Sequence, residues 1–532
     1  MHAALAIDEI LSKIIAFTLR RKSVQDDAAS LDASSRHGLL QVALVCKAFW
    51  EPAMSMLWRT LDSLEPLLLL VPGLQIHDDS CVLDQDLVIE DISTLRKYAR
   101  HVRTVALKRN ITVPTPILAK IRVATGAESL LPRLRVLYCV KEGFSHEISL
   151  CLSSTVEQLT VILSKDSREG TDREALAAFL SGLLSMKDPE ARLTLLHITG
   201  RLLEGTMKMV SAFPKLREVG LSLHSSTDPD SSNSGGVGKS LLPALSQMEY
   251  LTRLDLDVAG SDPFVLPLAL PSLQHLRLIG LCSVILSALH GSSLPSLVEL
   301  NIVVLRQQSG SLDGILSSRI SYFNLRILVI RLVGSQTDSP LRGRDLLAPL
   351  LRLRALQVFR LNSRNIRVDL DNEDMALIAK AWPELFLLNI FTPLPTDCKA
   401  PNLLGLIPFA EHCPHLSYLT VPVNANCALP SQPPVFLHEL RHIDLMDSPV
   451  TVAPHVVARF LHCLFPMCAG PRPSGHKYRY PWPRVYWFLG MIHTILTDNS
   501  RRIKVSLAAR TLSGSVDDAV DDHEPSHHVS GL

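Results

Sequence analysis

The chain has 532 residues, more than one compact core holds, so several domains or a repeat array are expected. Hydrophobic residues make up 47% and aromatics only 5%, which puts the apolar content in aliphatic side chains. With 53 basic against 52 acidic residues, the balance excludes a general binder of nucleic acid or acidic membranes. The longest apolar run, around Leu67 to Val71, falls far short of the ~20 residues a membrane span needs. Asp8 and Glu9 interrupt Ala3 to Ile7 before a signal-peptide core can form. Ten cysteines without a Cys-x-x-Cys pair indicate neither a zinc site nor a disulfide framework. The expected setting is soluble and reducing, cytoplasmic and/or nuclear.

Ile7, Ile10, Leu11, Ile14, Ile15 and Leu19 recur at a helical period, with Asp8 and Glu9 in the first turn where the helix dipole favours acids. Arg20 to Gly38 is polar and expected to be flexible. Leu39 to Trp50 predicts a second helix, and Pro52 is placed to open a third that carries Met54, Leu57 and Trp58. Three short apolar helices make a core that is marginal alone, which suits a cap on a larger array.

Asp8-Glu9-Ile10-Leu11, then Leu44-Val45-Cys46-Lys47-Ala48-Phe49, then Leu57-Trp58-Arg59-Thr60-Leu61 resemble the F-box, and most of all the F-box proteins abundant in mushroom-forming fungi. Ala6 and Ile7 stand where that family usually has Leu-Pro. The resemblance implies a three-helix F-box-like domain over residues 1–62, with 20–38 as an insertion. It further implies that Ile10, Leu11, Ile14, Leu44, Val45, Cys46, Phe49, Leu57 and Trp58 contact a Skp-family adaptor and, through it, a cullin.

Residues 63–95 read as a linker and first capping segment, and repeats follow over 96–470. Leu251-Thr-Arg-Leu254-Asp-Leu256 and Leu273-Gln-His-Leu276-Arg-Leu278 share one frame and start 22 residues apart. The same frame starts at Leu134, Leu216, Leu297, Leu325, Leu356, Leu385, Leu416 and Leu440, with weaker copies at Val102, Val156 and Leu193. From Leu251 to Leu440 the mean step is 27, within the range of about 20 to 29 for leucine-rich repeats. Helical stretches fill the gaps, among them Val284–Leu289, Asp345–Leu351, Met375–Ala379 and Val456–Leu461. Pro132, Pro214, Pro271, Pro295, Pro383 and Pro414 each stand two residues before a frame, where they are expected to stop the preceding helix. The predicted fold is therefore α/β, a leucine-rich-repeat solenoid or horseshoe preceded by the small all-α domain. The asparagine usual three residues past the frame is replaced by Ala259 and Leu281 in two copies. Residues 471–510 read as a C-terminal cap, with a helix from Trp482 to Leu496 carrying Val485, Phe488, Leu489 and Ile492. Residues 511–532, acidic and His-rich, read as a disordered tail.

No constellation for catalysis emerges, and an enzyme is not expected. Gly235-Gly236-Val237-Gly238-Lys239-Ser240 ends like a phosphate loop, but Asn233 occupies the first glycine position and the segment trails a polar loop. His523, His527 and His528 lack fixed geometry for a metal, and His455, His462, Cys463 and Cys468 lack ligand spacing. Arg472, Lys477, Arg479 and Arg484 among Tyr478, Tyr480 and Trp482 read as a solvated edge. No cofactor, metal, nucleic acid or membrane partner is expected.

In each frame the first, fourth and sixth residues point to the core, so the third, fifth and seventh face outward. This rule makes Arg253, Asp255, Asp257, His275, Arg277, Glu299, Asn301, Arg360 and Tyr418 the candidate target-binding residues, with Arg331, Asn362, His442 and Asp444 further along. Under the F-box resemblance the chain is the substrate-recognition subunit of a Skp–cullin–F-box ubiquitin ligase. A repeat scaffold without that role is the alternative.

Overall fold

In the computed structural model the described residues run from 32 to 496, with Leu11, Lys13, Ile15 and Asp498 besides. Positions 78–79, 84–91, 108–112, 127–128, 140–145, 164–170, 187–191, 201–203, 223–242, 259–267, 306–323, 335–340, 364, 394–399, 447–449 and 469–481 fall outside them. The expectations for Ile10, Ile14, Gly235–Ser240, His523, His527, His528 and the tail therefore lie outside the described residues. The chain divides into two compact units, Met1–Asn324 and Leu325–Leu532.

The first unit is mixed α/β. Helix α1 (Ala33–Val45) starts where Asp32 accepts a hydrogen bond from Ser35 N–H at 2.9 Å, an N-cap signal. It reaches back into the stretch expected to be flexible. It ends at Cys46, whose backbone is extended (φ −163, ψ 167), and α2 (Lys47–Leu57) follows at once. The single helix expected from Leu39 to Trp50 is thus broken at Cys46, and Pro52 lies inside α2 instead of opening a helix. Ile15, Leu39, Ala43, Ala53 and Met54 form a small core, against which Phe49, Trp50, Leu57, Trp58 and Tyr98 pack.

A parallel sheet begins directly after α2. Its strands are β1 (Thr60–Leu61), then β4 (Thr104–Leu107), β5 (Val136–Cys139), β6 (Gln158–Ile162), β7 (Leu195–Thr199), β8 (Glu218–Ser222), β9 (Arg253–Asp257), β10 (His275–Leu281) and β11 (Glu299–Leu305). An antiparallel hairpin, β2 (Leu74–His77) with β3 (Ser80–Leu83), sits in the first connection. Each sheet strand pairs in parallel with the next one along the chain. Helices occupy several connections: α3 (Ser93–Ala99), α4 (Thr115–Thr125), α5 (Thr171–Ser185) and α6 (Cys282–Leu289). Every frame read from the sequence in this unit carries a strand, and its first, fourth and sixth residues are buried, as at Leu251, Leu254 and Leu256. The sheet also takes in Thr60 and Leu61, which the sequence placed at the end of a helical segment.

Two short-range devices set the register. The first is a turn: Leu134 N–H donates to Leu131 C=O (3.2 Å), Leu273 to Leu270 (3.3 Å) and Leu297 to Leu294 (3.2 Å). Pro132, Pro271 and Pro295 are the second residues of these turns, where a φ fixed near −65° is pre-organised. These prolines shape a β-turn into the strand, where the sequence suggested that they stop a helix. The second device is a carbonyl spine. In one frame after another the residue at position two accepts two amides from the next strand: Thr252 and Arg253 both donate to Arg217 C=O (2.8 and 2.9 Å), and Gln274 and His275 both donate to Thr252 C=O (2.8 and 2.9 Å).

The second unit repeats this plan. Its strands are β12 (Ile327–Val333), β13 (Leu341–Arg342), β14 (Val358–Asn362), β15 (Val368–Asp369), β16 (Leu387–Phe391), β17 (Tyr418–Thr420) and β18 (His442–Asp444). β12, β14, β16, β17 and β18 pair in parallel in chain order, and β13 pairs with β15. The helix expected over Asp345–Leu351 ends at Leu347, and a 3-10 turn (Leu350–Arg352) follows Pro349. Helix α7 (Asn372–Ala381) opens with a capping box between Asp371 and Asp374, and α8 (Ile407–His412) and α9 (Pro454–Leu464) follow. Asn372 and Asn402 bond one another across two connections, Asn372 Nδ2 donating to Asn402 Oδ1 at 3.0 Å and Asn402 N–H to Asn372 Oδ1 at 2.9 Å. Asparagine thus closes turns in this unit at offsets the frame did not reveal. Trp382 is buried, meets the Phe359 ring at a tilt of 48° (4.9 Å between centroids) and donates Nε1–H to Leu350 C=O at 3.2 Å. Burial pushes the Cys413 thiol up to about 12, so it serves as packing. Residues 482–496 are helical; Trp482, Val485 and Leu489 are buried, while Leu496 is exposed, so the core face ends before the last turn.

Between β17 and β18 an extended segment replaces the helix. His438 holds it: Nε2–H donates to Cys413 C=O (2.7 Å) while Nδ1 accepts from Leu440 N–H (3.0 Å). That pattern needs the neutral imidazole. Burial, working against the weaker pull of the Cys413 carbonyl, holds the His438 pKa below its ordinary 6.5. The unfolded chain takes up the proton first, so this contribution is full above pH 6.5 and is lost as pH falls through the folded-state value. Thermal melts at about pH 7.5 and about pH 5.5 should show a drop on acidification that is smaller in His438→Gln, with the substituted chain already less stable at the higher pH. An equal drop in both would exclude His438 as the source.

Candidate functional site

The outward positions of β7 to β11 form the densest set of polar side chains on the first unit's sheet. Register aligns them in rows. Position three gives Glu218, Arg253, His275 and Glu299; position five gives His197, Gly220, Asp255, Arg277 and Asn301. Position seven gives Ser222 and Asp257, then the apolar Ile279 and Val303. The alternation is as the frame dictates: along β9 Leu254 and Leu256 are buried, Arg253 is exposed, and Asp255 and Asp257 are half-buried.

The structure brings these residues into specific pairs. Arg253 Nη1 lies 3.5 Å from Glu218 Oε2, and His275 Nδ1 lies 3.0 Å from Glu299 Oε2. Ser222 Oγ donates to Asp257 Oδ2 at 3.0 Å. Glu218 and Ser222 were missed by the sequence reading; extending the outward rule one strand back from Arg253 finds both. The row is thus partly self-neutralised, a cost to any ligand that must displace an internal partner. Arg277 differs. It stands between Asp255 and Asn301 in register, yet its Nε and the Asn301 Oδ1 are buried without a hydrogen-bond partner among the described residues. Gly220 makes room beside this group: a Cβ there would strike the His197 ring, which lies over it from the neighbouring strand.

In the second unit the position-three row is apolar and aromatic: Ile327, Val358, Leu387 and Tyr418 stand side by side. Tyr418 stacks on His442 (4.8 Å, 13° between planes) and meets Phe386 edge-on at 5.5 Å. Arg360 and Asn389 stand at position five beside Thr420, and Arg331 and Asn362 at position seven. Met446, just past β18, has a left-handed backbone (φ 56), and its N–H donates to Asp444 Oδ1 at 2.8 Å.

The expected adaptor-contact residues separate into two groups. Leu11 is buried; Phe49, Leu57 and Trp58 are half-buried and packed in the small core, Trp58 against Tyr98 at 4.9 Å. Cys46 is half-buried at the helix break. Leu44 and Val45 instead point away from that core, 79% and 69% exposed, with Leu40 at 44% on the same helix. Among the described residues no group of three or more His, Cys, Asp or Glu is placed to hold a metal ion, and no helix is long and apolar enough to cross a membrane.

No protein-family model matches the chain, and no curated protein matches it. Among solved structures, a protein from Bacteroides fragilis is similar at 14% identity, over 64% of this chain and 76% of its own, with a TM-score of 0.27. A likeness at that level carries no argument about fold or function.

The Arg253–Glu218 pair is 47% and 41% exposed, so it contributes about 0 to 1 kcal/mol. Arg253→Glu should therefore shift the urea midpoint only slightly. A large loss would show that this row holds the sheet together.

Proposed function

We propose that this chain is the substrate-recognition subunit of a Skp–cullin–F-box ubiquitin ligase. In this reading the paired strands are irregular leucine-rich repeats of an α/β solenoid, and the N-terminal helices are an F-box-like domain. The observation that carries it is the exposed apolar surface of Leu40, Leu44 and Val45 on a helix whose other side, Leu39 and Ala43, is buried. Fully burying one such side chain on a partner is worth about 1.5 to 3 kcal/mol, and two of the three lie in the segment that resembles the F-box. The adaptor would bind there and bring a cullin; the target would bind on the outward sheet face. The conjugating enzyme elsewhere in the assembly would do the chemistry, in the cytoplasm and/or nucleus.

A second reading, a repeat scaffold whose N-terminal helices serve as a cap, has its own support. Trp58 lies 4.9 Å from Tyr98, and Glu51 pairs with Arg100 at 3.0 Å, which ties α2 to the segment leading into β4. The two readings differ at Leu44 and Val45. With a purified Skp-family adaptor and the full chain, Leu44→Asp with Val45→Asp should abolish binding and leave the melting temperature within a degree or two, as surface changes cost about 0.5 kcal/mol. Trp58→Ala should instead lower stability by about 2 kcal/mol or more. Failure of the unaltered chain to bind adaptor would favour the scaffold.

Target capture is tested on the outward face. Arg253→Glu with Arg277→Glu should retain adaptor binding and lose the main partner recovered by pull-down from the source organism. Recovery of the same partners in the same amounts would remove this patch from the reading.

A further inference from the structure

A second basic feature lies at position two of the frames, where the carbonyl spine fixes which residues are neighbours. Arg59, Arg103 and Arg135 hold this position immediately before β1, β4 and β5. Arg103 N–H donates to Arg59 C=O at 2.9 Å, and Arg135 N–H donates to Arg103 C=O at 2.8 Å. Three arginines therefore enter the sheet side by side, one strand spacing of about 4.8 Å apart. Arg133, two residues ahead of Arg135, adds a fourth, and it is exposed, as are Arg59 and Arg135.

Among the described residues little answers this charge. Glu157, at position two immediately before β6, lies 3.7 Å from Arg135. Among the described residues Arg59, Arg103 and Arg133 have no carboxylate within ion-pairing distance. Like charges on neighbouring strands are destabilising. Arg103 registers the strain: burial first, then Arg59, Arg135 and Arg133, hold its pKa below the usual guanidinium range.

We propose that this arginine ladder is a binding site for a phosphomonoester dianion. A phosphate monoester carries about −1.5 to −2 charge and three acceptor oxygens, which matches a set of guanidinium groups presented by adjacent strands. One carboxylate would return a single charge and leave most of the repulsion. A nucleic-acid backbone would need the basic positions to continue, and the next two strands carry Glu157 and Thr194 there. The site belongs to the sheet itself and does not depend on the ubiquitin-ligase reading.

Isothermal titration of the full chain tests it with four probes: N-acetyl-phosphoserine amide, inorganic phosphate, N-acetyl-aspartate amide and an oligouridylate. The phosphoserine probe should saturate, with affinity falling about tenfold or more in Arg103→Gln and again in Arg59→Gln. Arg59 is exposed, so its variant should melt with the parent and keeps the test valid if Arg103→Gln does not fold. Equal binding of inorganic phosphate supports the site with free phosphate ligands as its source; tighter binding of the phosphoserine amide supports it with a phosphorylated protein segment. Absence of saturation, binding unchanged in both variants, or equal or tighter binding of the aspartate amide or the oligouridylate would overturn the proposal.

Discussion

The structure depends on one repeated hydrogen-bond arrangement. Within each unit the carbonyl of the residue after a frame's first position accepts two amides from the strand that follows. It recurs from Arg59, which receives Arg103 and Thr104, to Ser417, which receives Arg441 and His442. Because both amides come from consecutive residues, the next strand cannot slip by one residue without losing them. A one-residue slip would turn every leucine outward. The bond pair and the buried leucines therefore enforce the same register by different means, one local and polar, the other collective and apolar.

Much of the fold was legible because the two signals coincide in sequence. A leucine frame with polar residues between is readable from burial alone, and the strands at Leu251, Leu273 and Leu297 fall where it puts them. The helical segments were less legible. Leu39 to Trp50 is continuous in hydrophobicity, so nothing apolar marks the break at Cys46; the cap at Asp32 was present but masked by its polar surroundings. Trp58-Arg59-Thr60-Leu61 shows how one segment can be read twice. It has a helical motif's residues, yet Arg59 sits in the carbonyl spine and Leu61 takes the place of a frame leucine. Its aromatic first position hid it from a search for leucine.

The candidate site was legible in direction but not in partnership. Alternation alone settles which side chains face outward on β9 and β10. It does not say that Arg253 leans toward Glu218 and His275 toward Glu299, because parallel register gives each residue two neighbours and side-chain rotamers choose between them. Nor does it expose the place of Gly220, whose missing Cβ admits the His197 ring.

The short turns that lead into the strands have a further consequence. Connections such as those before Leu251, Leu273 and Leu297 are clamped at their ends by a bond spanning three residues and by the paired amides, so their interiors carry no share of the register. For a flexible connection, doubling the length raises the closure cost by only about 0.6 kcal/mol. Glu218 and Arg253 stay paired although the long run of Ser, Asp, Asn and Gly from 225 to 240 lies between their strands. Lengthening by insertion is thermodynamically cheap in this architecture wherever it falls between the clamps, and a descendant chain could acquire new surface there without renegotiating its core.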